Sequence, residues 1–571
     1  MKRTSLAVLM IALALVALAA PLAYAQAPAP KVTINGLIDN VTSYSQNISN
    51  YNGGLFNRKD SMWYYRTRGR FDIIGEVGKA KGVLGLELDH VLGQAGSNDS
   101  TIVNAGAAAT TAVQTGFGTD GSFDINTDSR GIIEIKWLYV EFPVPLIPVP
   151  TTARLGAQPF GSVANYKLAV YANGDFPGVS ITSQITPNFK LVGTYVQLEE
   201  NLAGTQTKRG LANVTQAGGI SLPGQTRGDD FAYIISPEIT PFKGLDIKPM
   251  FSMFYGQGTT SGSARAGRGG INATTSYTSG TGDLQGGMNE YRYTVGLDSR
   301  LRMGPFSLDP TVLYQFGNKA LCGPSAVATQ CGATTAANAA AFAASGAVPG
   351  RKYYPNMDAW LVDVRAGFQL GPLLLEGLAM YSTGNSRRNN TLGTVRYYQP
   401  LDTDTSYLGD WGTSLTSLGI DYLNAWNEAA GRIVYPGNQI GWDKYGRMQL
   451  GAKATYAITP EFSVMAGANL HWAAEKMDRD GTPIASAGIT PVFAGTPPRG
   501  THGGWGFGSD RFVGTELMAL VTWRFAPGLV WDNQFGYMFM GPALDGVTDP
   551  TLGGRNTHDP FMLTSRVRFT F

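Results

Sequence analysis

The sequence contains no apolar run long enough to cross a membrane comfortably as a helix. The longest, residues 6–20, has 15 apolar residues, which are too few for a membrane anchor, and it lies between Lys2-Arg3 and an Ala-Tyr-Ala site at 23–25. A charged start, a short apolar run and a small-residue site are typical of a secretory signal peptide. We therefore expect residues 1–25 to be removed and residues 26–571 to form one exported domain without a transmembrane helix.

The sequence is also poor in charge, since Asp, Glu, Lys and Arg make up only 15% of it. Two of the 44 basic residues lie in the predicted signal peptide, so 42 basic residues remain against 42 acidic ones. A formally neutral chain lacks the positive excess that nucleic acids and anionic membrane surfaces attract. We therefore expect no nucleic-acid partner.

Cysteine is scarce, and its only two copies, Cys322 and Cys331, are nine positions apart in a stretch of small residues. In an exported chain such a close pair predicts one disulfide within a loop. A metal site is the alternative, although no histidine lies nearby.

Histidine is equally scarce: His90, His471, His502 and His558 are the only four, and none has the spacing of a zinc hydrolase or haem site. The Gly-x-Ser-x-Gly turn of serine hydrolases is absent too. We therefore predict no enzyme, and we interpret His471 as a polar side chain near the outer end of a strand, facing the same way as Asn469.

Glycine (73 residues) and aromatic residues (11%) are plentiful, and they occur in a repeating unit of alternating strand, short turn, alternating strand and long polar loop. Tight Pro/Gly/Asn breaks such as residues 186–188 and 526–528 end the strands, whereas stretches such as 93–122 and 256–287 are too polar to build a core. Short turns at one end and long loops at the other are typical of an outer-membrane β-barrel.

The predicted fold is therefore all-β, a closed antiparallel transmembrane barrel of about 18 strands, with 16 as the lower bound. Closure predicts that the last strand pairs with the first, because an open sheet would leave two unpaired edges. We place the strands at 31–45, 60–76, 82–92, 130–142, 152–159, 177–186, 189–200, 229–240, 244–256, 289–303, 305–317, 357–370, 372–383, 445–459, 461–474, 511–526, 528–540 and 559–571.

Alternation assigns a face to most strands. In 291–303, Tyr291 and Leu297 point one way while Arg292 and Asp298 point the other, and 447–458 shows the same split. In a membrane barrel the apolar face meets lipid and the charged face meets the lumen. Residues 131–142 are apolar in both phases, so their facing stays open.

Two stretches carry resemblances. The ending Ser-Arg-Val-Arg-Phe-Thr-Phe (565–571) resembles the C-terminal signal that the barrel-assembly machinery reads, with Phe569 and Phe571 as its aromatic residues. Residues 514–545 resemble the last hairpin of the alginate-export family of outer-membrane proteins, and 153–161 are similar to a strand start in that family and in other porins. The resemblance implies an eighteen-stranded barrel with a basic lumen that passes an anionic polysaccharide.

Basic side chains on the lumen-assigned faces are the candidate site. They are Arg66, Arg68, Arg70, Arg154, Lys248, Arg292, Arg300, Arg302, Arg365, Arg447, Lys453, Arg524, Arg566 and Arg568. They predict either a basic ladder for anionic solutes or, since acids such as Glu87 and Asp298 share the lumen, ordinary cross-strand ion pairs.

The sequence thus predicts a passive outer-membrane channel of a Gram-negative bacterium for small hydrophilic solutes, with anionic solutes among the candidates. The barrel would be surrounded by lipid and act as a monomer or homotrimer. Export of an acidic polysaccharide and a surface adhesin are the alternatives. Asp402, Asp404 and Asp410, with Asp478 and Asp480, leave loop calcium open as the sole cofactor. The long loops at 384–444 and 318–356 are candidates for a constriction.

Overall fold

A computed structural model describes residues 29–47, 61–92, 121–123, 133–159, 171–172, 175–199, 230–256, 290–319, 321–322, 352–384, 394–398, 401, 411, 446–475, 510–542 and 559–571. The predicted signal peptide, Cys331, the loop aspartates, His502 and His558 lie outside these ranges. The disulfide and loop calcium therefore stay predictions. Within the described ranges, no helix has the length and apolar character needed to span a membrane.

Eighteen strands make up one sheet. Their bounds are β1 Lys31–Gln46, β2 Ser61–Val77, β3 Ala80–Leu92, β4 Ile133–Pro143, β5 Thr151–Pro159, β6 Asp175–Thr186, β7 Phe189–Glu199, β8 Asp230–Ile235 and Glu238–Phe242, β9 Leu245–Gly256, β10 Glu290–Met303, β11 Phe306–Lys319, β12 Asn356–Leu370, β13 Leu373–Ser382, β14 Arg447–Ala457, β15 Phe462–Ala473, β16 Phe512–Ala526, β17 Leu529–Met540 and β18 Phe561–Thr570. β8 is interrupted at Ser236-Pro237, because proline has no N–H to donate to the ladder. The segments 121–123, 321–322, 352–353 and 394–395 form short additional pairings.

Each strand pairs antiparallel with the next, and β18 returns to pair with β1, so the sheet is a closed barrel. The connections at one end have at most seven residues, whereas those at the other end have fourteen or more. The predicted fold class, the strand count and the closure are therefore confirmed.

Phe571 completes the seam between β18 and β1. Its N–H donates to the Gly36 carbonyl at 3.0 Å, and the Gly36 N–H donates to the Phe571 carbonyl at 2.9 Å. A Cβ on Gly36 would lie 2.3 Å from Cζ of Phe571, so the absent side chain of this glycine leaves the space that the ring occupies. The Phe571 ring also contacts the rings of Phe71 and Phe569, at centroid distances of 6.3 and 5.4 Å.

The exterior of the barrel is apolar and the interior is polar. Along β10, Tyr291, Val295 and Leu297 are exposed while Arg292 and Asp298 are buried. Exterior aromatic rings meet at both ends, Tyr44 against Trp63 at the long-loop end and Phe569 against Phe571 at the short-turn end. A closed sheet leaves no unpaired strand edge, and this sidedness turns apolar side chains toward hydrocarbon and most charges toward the lumen. The chain is therefore an outer-membrane barrel of a Gram-negative bacterium.

The pairing of β4 with β3 explains why residues 131–142 are apolar in both phases of the strand alternation. The pairing of β3 with β4 shifts between Gly85 and Leu86, so that one extra residue of β4 is accommodated at Lys136-Trp137. Such a bulge reverses which residues face outward. Ile133 and Ile135 are exposed before the bulge, and Leu138 and Val140 after it.

Candidate functional site in the barrel interior

The interior wall carries the predicted basic side chains, because directly paired residues of neighbouring strands share one face. Arg66, Lys248, Arg292 and Arg447 are buried; Arg68, Arg70, Arg154, Arg300, Arg365, Lys453, Arg566 and Arg568 are partly buried; Arg302 and Arg524 are exposed near the short-turn end. Most of them form ion pairs with carboxylates of the same wall.

Asp39 on β1 receives two arginines at the seam. Nε and Nη2 of Arg566 each donate to one carboxylate oxygen of Asp39 at 2.7 Å, and Nη2 of Arg66 lies 3.7 Å from it. Asp39 is only 1% exposed. A two-pronged contact of this kind is the strongest geometry for an arginine–carboxylate pair, and it ties β18, β1 and β2 together on the inner face.

Glu87 on β3 receives three bases. Arg70 donates to it from Nε and Nη2 at 2.7 and 3.2 Å, while Arg68 Nε and Lys136 Nζ each lie 3.3 Å from it.

The groups around Asp39 and Glu87 together occupy the interior face of β18 and β1–β4, which we call the charged arc. Trp137, at the bulge, adds a hydrogen bond from Nε1 to Asp72 on the same wall at 2.9 Å.

Other carboxylates bridge neighbouring strands in the same way. Glu141 accepts from Arg154 at 2.7 Å and lies 2.8 Å from Lys81, and Glu238 lies 2.8 and 2.9 Å from Lys190 and Lys248. Further ion pairs join Arg292 to Glu290, Arg302 to Asp309, Arg365 to Asp363, Lys453 to Glu376 and Arg568 to Asp532. The bases therefore line the wall largely in compensated pairs.

The opposite wall combines buried polar side chains such as Ser252 and Asp363 with a larger group of apolar ones. The interior faces of β6–β9 and β11–β13 contribute buried apolar side chains to one cluster, which we call the apolar arc: Phe176, Val196, Ala232, Ile234, Met250, Phe254, Leu313, Leu361, Leu378 and Met380. Loop residues cover it. Tyr171, Tyr398, Leu401 and Trp411 belong to the same cluster and are at most 2% exposed.

Two connections meet inside the barrel. The hydroxyl of Tyr171, from the β5–β6 connection, lies 2.6 Å from the Ser252 hydroxyl on β9. The N–H of Leu401, from the β13–β14 connection, donates to the Tyr171 carbonyl at 2.7 Å. Burial raises the pKa of Tyr171 and, more strongly, of Tyr398, so both keep their phenolic protons. Part of the 384–444 stretch thus narrows the interior.

Trp411 is held between two bases of the wall. Nζ of Lys453 lies 4.3 Å from the centre of its ring and donates to its carbonyl oxygen at 3.2 Å, and the Arg365 guanidinium lies 6.0 Å from the ring centre. A cation over an indole face is attracted by the ring's quadrupole. Lys453 therefore binds the β13–β14 connection as well as its carboxylate Glu376.

A polar patch lies beside Trp411 on β14–β16. His471 Nε2 is 3.2 Å from Glu516, and the Asn469 amide donates to the same carboxylate at 3.3 Å. Gln449 pairs with His471 in the register. His471 and Asn469 do share the interior face, as predicted from their spacing.

Several participants escaped the sequence analysis. Asp39 and Glu141 follow the alternation of their strands and could have been found from it, as could Glu376 opposite Lys453. Lys136 and Trp137 lie at the bulge, where alternation fails. Tyr171 lies in a connection without periodicity, so no sequence signal indicates that it folds inward.

Comparison with known proteins adds little to this geometry. No protein-family description and no curated protein matches the chain, so the alginate-export resemblance stays a resemblance of a few segments. Among solved structures, the chain is similar to Pseudomonas aeruginosa OccK8 (OprE), at 10% identity and TM-score 0.44 over 95% of this chain and 98% of that one. It is also similar to a BenF-like porin from Pseudomonas fluorescens Pf-5 (9%, 0.43, 95% and 99%) and to Acinetobacter baumannii OccAB2 (9%, 0.44, 94% and 98%). TM-scores this low support no argument about solutes.

Proposed function

We propose that the protein is a passive outer-membrane channel for small hydrophilic solutes, with a weak preference for anions at low ionic strength. The carrying observation is the division of the interior into a charged arc, in which Arg70 and Arg568 keep contact with solvent, and an apolar arc packed with loop side chains. Side-chain exposure is 34% for Arg70 and 37% for Arg568, but only 1% for Lys248 and 2% for Arg292. Solutes crossing the barrel therefore meet the charged arc.

The preference for anions is weak because the charges nearly cancel. Five bases of the charged arc, Arg66, Arg68, Arg70, Lys136 and Arg566, lie at ion-pair distance from two carboxylates, Asp39 and Glu87. Asp72 and Glu134 lie on the same wall and reduce this excess. Fields also decay over about 8 Å at physiological salt, so the remaining excess acts only where the interior is narrow.

The inward-folded connections support a channel for small solutes over the two alternatives. Tyr171, Tyr398 and Trp411 take up interior space that a polysaccharide chain would need. A plugged adhesin would exclude the water that reaches Arg70 and Arg568 on the charged arc. No constellation of nucleophile and base has been identified among the described side chains, and we propose no enzymatic activity.

Planar-bilayer recording of the refolded protein tests this function. A passive channel gives steady ion-conducting steps whose current is linear in voltage, whereas a plugged adhesin gives none. Reversal potentials in asymmetric KCl then measure ion preference, and we expect a weak bias toward chloride that disappears as salt rises. Absence of steady current from correctly folded, heat-modifiable protein would contradict the proposal.

A further inference from the structure

The polar patch beside Trp411 contains hydrogen-bonding atoms without partners. Within the described part of the chain, both side-chain polar atoms of Gln449, Oδ1 of Asn469, Oε1 of Glu516 and Nε1 of Trp411 are buried and have no hydrogen-bond partner. Gln449, Asn469 and Glu516 are at most 1% exposed. A buried polar atom without a partner costs about 1–3 kcal/mol, so such a concentration on one wall suggests that something else supplies the missing bonds.

These atoms are neighbours. Gly451 pairs with Asn469, which pairs with Glu516, and Gln449 pairs with His471 one row further along the same face. A Cβ on Gly451 would lie 2.1 Å from Oδ1 of Asn469 and 2.9 Å from Nε1 of Trp411. The unpaired amide acceptor and the unpaired indole donor therefore converge above this glycine, in the space that its missing side chain leaves to them.

The chemistry of the patch favours a neutral ligand. Glu516 repels an anion, while Lys453 and Arg365, both close to Trp411, repel a cation. The unpaired atoms include donors (Gln449 Nε2 and Trp411 Nε1) and acceptors (Gln449 Oε1, Asn469 Oδ1 and Glu516 Oε1). Hydroxyl groups satisfy both kinds, because each donates one hydrogen bond and accepts others.

We infer that this patch, formed by Trp411, Gln449, Asn469 and Glu516, is a binding subsite for a neutral polyhydroxylated solute such as a monosaccharide. The inference rests on the proposed channel function, since the solute reaches the patch from the lumen. Trp411 is itself only 2% exposed and its Nε1 faces Asn469 across Gly451, so a bound solute takes the place of part of this packing.

Titration of D-glucose against single-channel current is the test. We expect a saturable fall in the current of the wild-type protein. Gln449→Leu and Trp411→Phe, which each remove unpaired polar atoms while keeping bulk, should raise the half-saturating concentration about 3- to 10-fold, as the loss of one neutral hydrogen bond does. Thr564→Val is the matched control, because Oγ1 of Thr564 is an equally buried atom without a partner on β18, away from the patch.

The outcomes separate this inference from the channel function. Steady current with only a linear, viscosity-type response to glucose, equal in all variants, leaves the channel intact and overturns the subsite, with water as the remaining partner. A Thr564→Val effect as large as that of Gln449→Leu overturns it as well. If no current is seen, saturation-transfer NMR of glucose with the micelle-solubilised barrel still reads binding, and a signal lost in Gln449→Leu supports the subsite on its own.

Discussion

The charged arc and the apolar arc of the interior wall differ in what their inward-facing side chains contact. In the charged arc, Asp39 and Glu87 hold arginines from neighbouring strands, and Arg70 and Arg568 remain partly in water. In the apolar arc, Phe254, Leu361 and Met380 are covered by loop side chains and are dry. Because the lumen of a membrane barrel is expected to be polar, apolar side chains on its inner wall must be covered by other parts of the chain to be shielded from water. The connections that cover them also narrow the lumen on one side.

The largest expected effect comes from breaking the seam of the charged arc. Asp39→Ala leaves Arg566 and Arg66 beside one another without their shared carboxylate in a buried position. Removing one partner of a buried ion pair costs about 3–5 kcal/mol, and we expect a loss of that size in urea unfolding of the lipid-reconstituted barrel. Asp309→Ala is the control, because its partner Arg302 is 51% exposed and such pairs contribute about 1 kcal/mol or less. Equal losses of unfolding free energy in the two variants would show that Asp39 stabilises the barrel no more than an exposed ion pair does.

A smaller effect is expected at the exterior side of the same seam. Phe571→Ala removes the ring over Gly36 and its contacts with Phe71 and Phe569, for a loss of about 1–2 kcal/mol of apolar burial. Gly36→Ala should cost a similar amount in the wild type, since its Cβ displaces the ring, and almost nothing in the Phe571→Ala background. Urea unfolding of all four proteins gives this double-mutant cycle, and additive costs would rule out the ring–glycine contact as the cause.

The strands and closure of the barrel could be predicted from the sequence far better than the ion pairs and loop residues in its interior. Strand positions follow from period-two alternation, and closure follows from the need to satisfy edges, both of which are local or general constraints. Arg566 was predicted to face inward, but its partner Asp39 depends on the register between the last and first strands, which no local pattern states. Tyr171 and Trp411 lie in connections without periodicity, where only the shape of the finished lumen decides whether a side chain is buried.

Removing a loop side chain that covers the apolar arc tests whether this packing narrows the lumen. Trp411→Ala deletes the side chain that Lys453 and Arg365 hold against the wall, so we expect a higher single-channel conductance with the barrel still folded on a heat-modifiability gel. Lys453→Met, which keeps the stem and removes the charge, should raise conductance less, because the packing of Trp411 beside Gly451 remains. Unchanged conductance in Trp411→Ala would mean that the current does not pass the part of the lumen that this side chain narrows.

The smallest effect expected is on ion preference, and it separates the two arcs most sharply. Arg68→Gln/Arg70→Gln removes two bases from the wetted charged arc, whereas Arg292→Gln removes one that is 2% exposed beside Glu290 and the Phe254 ring. Screening lengths are about 30 Å at 0.01 M salt and about 8 Å at 0.15 M, so the double variant should move the reversal potential toward cations only at low salt. The Arg292 variant should leave the potential nearly unchanged at either salt, provided that a heat-modifiability gel shows a folded barrel. A larger shift from Arg292→Gln than from the double variant would place the ion path along the apolar arc. A wild-type channel that already prefers cations at low salt would show that the paired bases of the charged arc set no anion preference at all.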